Sequence, residues 1–407
     1  MRILQINKYF FAFGGSEAVF FDTINGLRKE GNEVSEFSMK NSKNLPSDYS
    51  NYFTSTLPDV LSQTQNIANS AKIFKQLFYS SEVKKKLTQL IKDTKPQVAH
   101  IHNAYHHLSA TLFTTLYKLK IPTVLTLHDY FPVCPNHNFL LGEKGAREIL
   151  QNKPFNCTRY KCVGNRFAPS LAATIEAYFY RLNKIWQRVD RFICPSNFMK
   201  QVMLESGFPN EKLEVVFNAY DSKENAAPLG KSILFLGRIH VEKGIKVFME
   251  ACRELKNYSI IIAGQGPEDK WVEEFIKKNS LTYIKKLPRI SGTDWQTVVN
   301  DARVVVFPTI AYENCSRGIL EALACKRLVV ATDRGGNNEM IQNNKTGFLV
   351  KPENVEDLVS GVQKAMGLSK ENAEVIANNG QKLVKENYSS KEYFLKLTNI
   401  YEEVLKK

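Results

Sequence analysis

No stretch of this 407-residue chain is apolar for long enough to cross a bilayer, which excludes a membrane-spanning helix among its hydrophobic runs. Cysteine is scarce. Seven residues, an odd number spread over so long a chain, do not make the dense even set of a disulfide-built scaffold, so free thiols are expected. No short-period repeat recurs, which excludes a solenoid. No stretch interleaves aromatic and basic residues as nucleic-acid readers do, so no nucleic-acid partner is expected. The opening, MRILQINKYF, has too little apolar length for a signal peptide and reads as a first strand. A mature protein beginning there, in the cytoplasm, is the expectation.

What is present is a mixture typical of a globular protein, 43% hydrophobic and 24% charged, too long for one ordinary core. The net charge of +14 is uneven. Residues 1–220 hold 27 Lys and Arg against 17 Asp and Glu, a net of +10, and the remainder holds 28 against 24, a net of +4. A basic first half attracts phosphorylated substrates, anionic lipid or nucleic acid without choosing among them. The segment Ile73 to Lys95, with Lys84, Lys85 and Lys86, fits either a solvated helix face or a membrane contact.

Strand and helix signals alternate throughout, the pattern of doubly wound α/β sheets. The runs RILQIN, EVSEFS, VAHIHN, TVLTLH, RFICPS and LEVVFN form a first series of strands, with helices at Ala18 to Lys29 and Leu171 to Gln187. The runs SILFLG, SIIIAG, TYIKKL, VVVFPT and LVVAT form a second. Between them Asn218 to Lys231 is polar and carries Pro and Gly, as linkers do. The predicted division is an N-terminal domain over 1–222, a C-terminal domain over 231–388, and a last helix over 389–407 that crosses back to the first domain. Two such domains face each other across a cleft lined by the C-terminal ends of their strands.

The residues suited to chemistry gather at those strand ends. Tyr312 to Glu321, YENCSRGILE, follows VVVFPT and carries Glu313 and Glu321 eight positions apart. A helix is expected to start at Cys315 to Gly318, offering unpaired N–H groups and a positive dipole end to an anion. A phosphate there, with carboxylates on the hydroxyls around it, describes a nucleotide-sugar site; a surface loop before an ordinary helix fits the same ten residues. Arg238 and Lys243 flank the loop after SILFLG, cations suited to a diphosphate. Gly264 and Gly266 follow SIIIAG, and Gly335-Gly336 follows LVVAT. Gly14 and Gly15, after the first strand, permit positive φ and close approach of a ligand, and equally a plain turn. His128-Asp129 ends TVLTLH, where an imidazole can accept a hydrogen bond from a sugar hydroxyl. His100, His102, His106 and His107 read as structural or cleft-lining residues. Cys134, His137, Cys157 and Cys162 could hold zinc, but the spacing is uncommon and loop packing by free thiols is favoured.

Taken together, these motifs resemble glycosyltransferase family 4. The matching elements are GGSE at Gly14, IHNAYHHLSATL at Ile101, TLHDYFPVCPN at Thr126, GRIHVEKG at Gly237, GQGP at Gly264, the pair Glu313 and Glu321, GGNNEMI at Gly335 and TGFLV at Thr346. The middle segment looks most like bacterial surface-polysaccharide members. The resemblance implies the GT-B fold, two Rossmann-like domains, and a retaining transfer from a nucleoside-diphosphate sugar to a glycan or lipid-linked acceptor. It implies His128, Arg238, Lys243 and Glu313 at the reaction centre. Gly14, Gly15, Gly264, Gly266, Asn314, Cys315, Ser316 and Glu321 would bind the donor, Glu321 through the ribose. With no Asp-x-Asp triplet in the sequence, no catalytic metal and no cofactor beyond the donor sugar is expected. An anionic membrane surface is an expected partner, at the inner face of the cytoplasmic membrane. The same resemblance admits a non-catalytic scaffold that only binds the nucleotide sugar. Three positions depart from the family pattern: Lys326 and Leu328 stand where glycine and proline are usual, the glycine left-handed, and Asn314 where a small residue or glycine is common. The stretch Leu140 to Arg166, with Cys157 and Cys162, matches only part of the family.

Overall fold

The computed structural model describes residues 1–55, 77–221, 227–290 and 292–406. Parts of two expected segments, 73–76 before the lysine-rich helix and 222–226 in the linker, lie outside them, as does 407. The chain divides into two compact units: Met1–Gly142, Ala146–Val216 and Tyr393–Lys407 form unit 1, and Glu143–Gly145 with Phe217–Glu392 form unit 2.

Unit 1 begins with β1 (Arg2–Ile6), α1 (Gly15–Lys29), β2 (Glu33–Phe37), α2 (Ser81–Thr94), β3 (Val98–Ile101), α3 (Thr111–Lys118) and β4 (Thr123–Thr126). A short ribbon, β5 (Leu140–Leu141) with β6 (Lys144–Gly145), precedes α4 (Arg147–Leu150), α5 (Pro154–Arg159) and α6 (Phe167–Leu182). Then come β7 (Arg191–Cys194), α7 (Asn197–Glu205) and β8 (Leu213–Val215). The six long strands form one sheet in the order β2-β1-β3-β4-β7-β8, all parallel. Parallel strands covered by helices on both faces are apolar along their whole length, and β3 and β4 are buried at every residue.

Unit 2 runs through β9 (Ser232–Leu236), α8 (Ile245–Cys252), β10 (Ile260–Ala263), α9 (Asp269–Lys278), β11 (Ile284–Leu287), α10 (Gly292–Asp301), β12 (Ala302–Phe307) and α11 (Arg317–Ala324). It continues with β13 (Leu328–Thr332), α12 (Asn337–Met340), β14 (Phe348–Val350), α13 (Val355–Met366) and α14 (Lys370–Asn387). Its parallel sheet has the order β11-β10-β9-β12-β13-β14. Successive residues of β9 feed opposite faces: Ile233 and Phe235 pack with Phe248 and Ile262, Leu234 with Val305 and Leu320. The order reverses between β9 and β12, and the loops leaving those two strands therefore diverge from one point at their C-terminal ends. The sixth strand, β14, is only three residues long and does not stand out in the sequence as a strand run.

The last helix, α15 (Ser390–Leu405), sends Tyr393 to Thr23 at 2.8 Å and Tyr401 to His100 at 2.7 Å, both within unit 1. Gly26 on α1 makes room for it, since a Cβ there would overlap the Phe394 ring. Arg327 ties unit 2 together from inside. Fully buried, it donates to the carbonyls of Ala227, Pro228, Asn300, Ala302 and Cys325, which spread its charge over the ends of three segments.

Several expectations need correcting. Cys157 and Cys162 are joined in a disulfide with their Cα atoms 4.8 Å apart, so they are neither free thiols nor zinc ligands. The turn after α5 brings them together, which their spacing in sequence did not reveal. Helix α1 starts at Gly15 rather than Ala18, and neither Gly14 nor Gly15 has positive φ. Helix α11 starts at Arg317 with Ser316 as its N-cap, so Cys315 stands outside it. Lys326 does take the left-handed conformation, φ 54°, without a glycine. On α2, Val83, Leu87, Leu90 and Ile91 face inward, while Lys86 bonds to the Phe53 carbonyl and pairs with Glu82.

Candidate functional site

At the sheet reversal of unit 2, the loop after β9 lies against the loop after β12. Gly237 leaves β9 with its N–H bonded to the Ala263 carbonyl, and a single turn over Val241–Lys243 follows, capped by His240. Gly244 then starts α8 at φ 72°, and a Cβ on it would fall 1.7 Å from the Pro308 carbonyl oxygen. Only glycine tolerates both that φ and that approach. The Glu242 carbonyl accepts from the Thr309 hydroxyl at 2.8 Å, the Ile310 N–H at 3.0 Å and the Ala311 N–H at 3.2 Å. The two loops are thus fixed backbone to backbone.

That contact sets the charges. Lys243 Nζ donates to Glu313 Oε1 at 2.5 Å, and one residue earlier Glu242 pairs with Arg238. Burial works against the Lys243 ammonium, but the Glu313 and Glu242 carboxylates outweigh it and hold its pKa above the ordinary lysine value. Burial likewise disfavours the Glu242 carboxylate, and Lys243, Arg238 and His240 overcome it, leaving its pKa lowered. Arg238, Lys243 and Glu313 are therefore gathered in one alternating row of charges. Glu242, which completes the row, lies inside the GRIHVEKG stretch but was not singled out from sequence.

A third loop braces Glu313. Gly335, at φ 67°, comes so close that a Cβ would lie 2.3 Å from the Glu313 carbonyl oxygen, and the Gly336 N–H donates to that oxygen at 2.6 Å. The Thr332 hydroxyl donates to the Thr309 carbonyl at 2.7 Å. The expected flexible strand end at Gly335-Gly336 is a clamp. Gly264 and Gly266 have a similar duty: Cβ atoms there would meet the Gly237 and Ile239 carbonyls at 1.8 and 2.1 Å, so the β10 loop nests into the β9 loop.

Asn314, Cys315 and Ser316 lead from Glu313 into α11. The Cys315 thiol is 4.0 Å from Met340 and burial pushes its pKa up to about 12, so it packs rather than reacts. What this stretch can offer an anion is backbone N–H at the start of α11. On α11, Glu321 accepts from Arg317 Nε at 3.0 Å across one turn. Gly318 lets the helix close on β12, since a Cβ would sit 2.8 Å from the Phe307 ring.

In unit 1, Gly14 is the extended N-cap of α1, and a Cβ on Gly15 would meet nothing within 4 Å, which leaves the helix start open to a ligand. His128 lies two residues beyond β4 in a chain of hydrogen bonds. Gln5 Nε2 donates to the Tyr401 hydroxyl at 3.2 Å, and that hydroxyl is 2.7 Å from His100 Nδ1. Gln5 Oε1, which can only accept, faces His102 Nε2 at 3.2 Å. His102 therefore carries its proton on Nε2 and presents a bare Nδ1 to His128 Nε2, 2.8 Å away. His128 must donate, which places its own proton on Nε2 and leaves Nδ1 as the acceptor. Burial depresses His128 to about 4 and His100 to about 3, so both rings are neutral at pH 7. His106 bonds to the buried Glu176 at 2.6 Å, and the Cys134 thiol donates to Asn136. Among the described residues no cluster of three or more His, Cys, Asp or Glu side chains is arranged to hold a metal ion.

Two Rossmann-like units with parallel sheets define the GT-B class of glycosyltransferase fold, and solved structures of that class overlay the chain. Sucrose-phosphate synthase from Thermosynechococcus elongatus matches with a TM-score of 0.72 at 16% identity, covering 99% of this chain and 98% of that one. HepE from Anabaena, solved in complex with UDP, matches at 0.66 and 15% identity, covering 99% and 100%. Within that class, residues 13–224 match Glycosyltransferase Family 4 and residues 217–383 match Glycosyl transferases group 1. The chain belongs to glycosyltransferase family 4. Among curated relatives it is similar to the α-D-kanosaminyltransferase of Streptomyces kanamyceticus, 28% identical over 42% of this chain and 45% of that protein. It is also similar to Escherichia coli WcaL, assigned provisionally to colanic acid biosynthesis, 27% identical over 44% and 47%. The matched stretch spans about half the length of these curated relatives.

Proposed function

We propose that this protein is a retaining, metal-independent glycosyltransferase that moves a sugar from a nucleoside diphosphate to a glycan or lipid-linked acceptor in surface-polysaccharide synthesis. It would work at the cytoplasmic face of the membrane. The observation that carries the reading is the Lys243–Glu313 ion pair with Arg238–Glu242 beside it, held at the sheet reversal of unit 2. Departure of a diphosphate builds negative charge on its bridging oxygen. Arg238 and Lys243 are the cations placed to meet that charge, and the α11 N-terminus by Asn314, Cys315 and Ser316 adds backbone donors. Glu313 orients Lys243 before the donor arrives and then takes a hydroxyl of the transferred sugar. Glu321 takes the ribose. In unit 1, Gly14, Gly15 and His128 are the residues that the family resemblance assigns to the donor sugar. The acceptor hydroxyl attacks on the face the diphosphate leaves, so the protein contributes position and charge rather than a covalent intermediate. The relatives named for colanic acid biosynthesis and for kanosaminyl transfer support this reading, as does the UDP complex of HepE.

The test is nucleoside diphosphate release from a panel of nucleotide sugars by the purified full chain, with Lys243→Ala and Glu313→Gln alongside. Each variant should lose about 100- to 1000-fold in turnover, the usual worth of one aimed charge, with an unchanged far-UV spectrum. Wild-type turnover in either variant would overturn the assignment.

A further inference from the structure

Helix α6 turns an apolar side outward. Water-facing helices of a domain usually hide an apolar stripe and expose a polar one. Here Phe167, Leu171, Ile175, Tyr178 and Leu182 recur at spacings of four, four, three and four, so they share one side within an arc of roughly 80°. All five are exposed, Phe167 at 57% and Leu182 at 77%. The opposite side, buried against the rest of unit 1, combines Ala173 and Tyr180 with polar residues. Thr174 bonds to the Pro154 carbonyl and to Thr158, Ser170 bonds to the Arg166 carbonyl and the Val163 N–H, and Glu176 bonds to His106. These polar contacts and the Tyr180 ring, packed on Phe131 and Trp186, hold the helix down and leave a second apolar side outward. Short helix α5, bonded to α6 through Thr158, adds an exposed Phe155, and the residue after it is an exposed Tyr160.

Within the stretch that carries this surface the exposed charge has one sign. From Lys153 to Lys184 the cations are Lys153, Arg159, Lys161, Arg166, Arg181 and Lys184, and the single acid, Glu176, is buried. A contiguous apolar stripe with aromatic members and a cationic border is what binds in the plane of an anionic bilayer. A second copy of the chain fits less well, because a self-complementary contact would bring these cations onto their own counterparts.

We propose that the outward face of α6, with Phe155 and Tyr160, seats unit 1 on an anionic membrane surface. The stripe enters the boundary between headgroups and acyl chains, and the bordering cations meet lipid phosphates. No helix among the described residues is long and apolar enough to cross a membrane, so this contact lies on the surface. It deepens the membrane-peripheral part of the proposed function and is independent of the sugar chemistry.

The experiment is co-sedimentation of the full chain with phosphatidylglycerol-containing vesicles and with pure phosphatidylcholine vesicles. Wild type should pellet with the first and stay in solution with the second. The double variant Leu171→Glu/Leu182→Glu should lose about 100-fold in partitioning, having exchanged buried hydrocarbon for repelled charge. Lys161→Glu/Lys184→Glu should lose at least tenfold, and Lys84→Glu/Lys85→Glu on α2 should bind as wild type does. Both altered side chains of the first variant are solvent-facing, and an unchanged melting temperature shows that the fold is intact. Wild type that ignores anionic vesicles, or a stripe variant that still binds them, overturns the proposal. So does a concentration-dependent dimer that the stripe variant abolishes while vesicle binding persists. Diphosphate release in the same samples separates the readings: absent from all variants while vesicle binding follows the stripe, it would remove the enzymatic reading and leave the membrane contact standing.

Discussion

Gly244→Ala isolates what joins the two loops that carry Arg238, Lys243 and Glu313. Glycine there is at φ 72°, and a Cβ would lie 1.7 Å from the Pro308 carbonyl oxygen, where real contacts stay beyond 3.0 Å. The loops must part by more than 1 Å. The left-handed backbone costs an alanine about 1 kcal/mol. Parting the loops breaks at least two of the bonds to the Glu242 carbonyl from Thr309, Ile310 and Ala311, at about 1 kcal/mol apiece. Unit 2 should therefore lose about 3 kcal/mol. Gly31→Ala is the control, with φ 79° and no atom within 4 Å of its Cβ, so it should show the backbone cost of about 1 kcal/mol alone. Urea denaturation followed by tryptophan fluorescence reports unit 2 through Trp271 and Trp295, and unit 1, which holds Gly31, through Trp186. Below the transition the displaced Lys243 should reduce diphosphate release about 100-fold, the usual cost of misplacing a catalytic group by 1 Å. If Gly244→Ala and Gly31→Ala destabilise equally and turnover is unchanged, the two loops do not form the site as described.

Acid should weaken unit 1 well before carboxylates titrate. His100 and His102 are fully buried and burial lowers both pKa values, His100 to about 3, so the folded state refuses protons that the unfolded chain accepts below about 6.5. Stability is then complete above that pH and falls as pH drops towards the folded values, by about 1 kcal/mol for each histidine between pH 6.5 and 5.5; a urea midpoint flat from pH 7 to 5 would refute it. The hydrogen-bond chain to His128 makes a separate claim: nitrogen NMR of labelled histidine should find His128 protonated at Nε2 in wild type and a mixture of tautomers in Gln5→Leu. Protonation at Nδ1 in wild type would show the chain to run the other way.

Much of this architecture is legible in the residues because a parallel sheet buries both faces of its central strands. VVVF and LVVA are continuous apolar runs for that reason, and they fall at β12 and β13. The meeting of two loops is legible where residues sit in recognisable motifs at strand ends, as with Arg238, Lys243 and Glu313, the last two joining those loops through their ion pair. It is illegible where one common residue serves several purposes. Glu242 looks like any solvated acid, yet its carboxylate balances Arg238 and its carbonyl anchors the β12 loop. Arg327 reads as a surface cation, and only the convergence of carbonyls from remote segments explains its complete burial. Gly264 and Gly266 suggest a ligand cradle, but their closest neighbours are carbonyls of the adjoining loop. The disulfide of Cys157 and Cys162 depends on a turn that pattern does not encode, and α6 shows periodicity clearly while hiding which side faces water.

The return of α15 to unit 1 imposes an order on how the molecule is made. Tyr401 closes over Gln5 and His100, and Tyr393 and Phe394 fill the side of α1 at Thr23 and Gly26. A nascent chain that has emerged only as far as Val216 lacks this plug and shows bare apolar surface beside its first strand. The half synthesised first is thus the half completed last, after unit 2 has already left the ribosome.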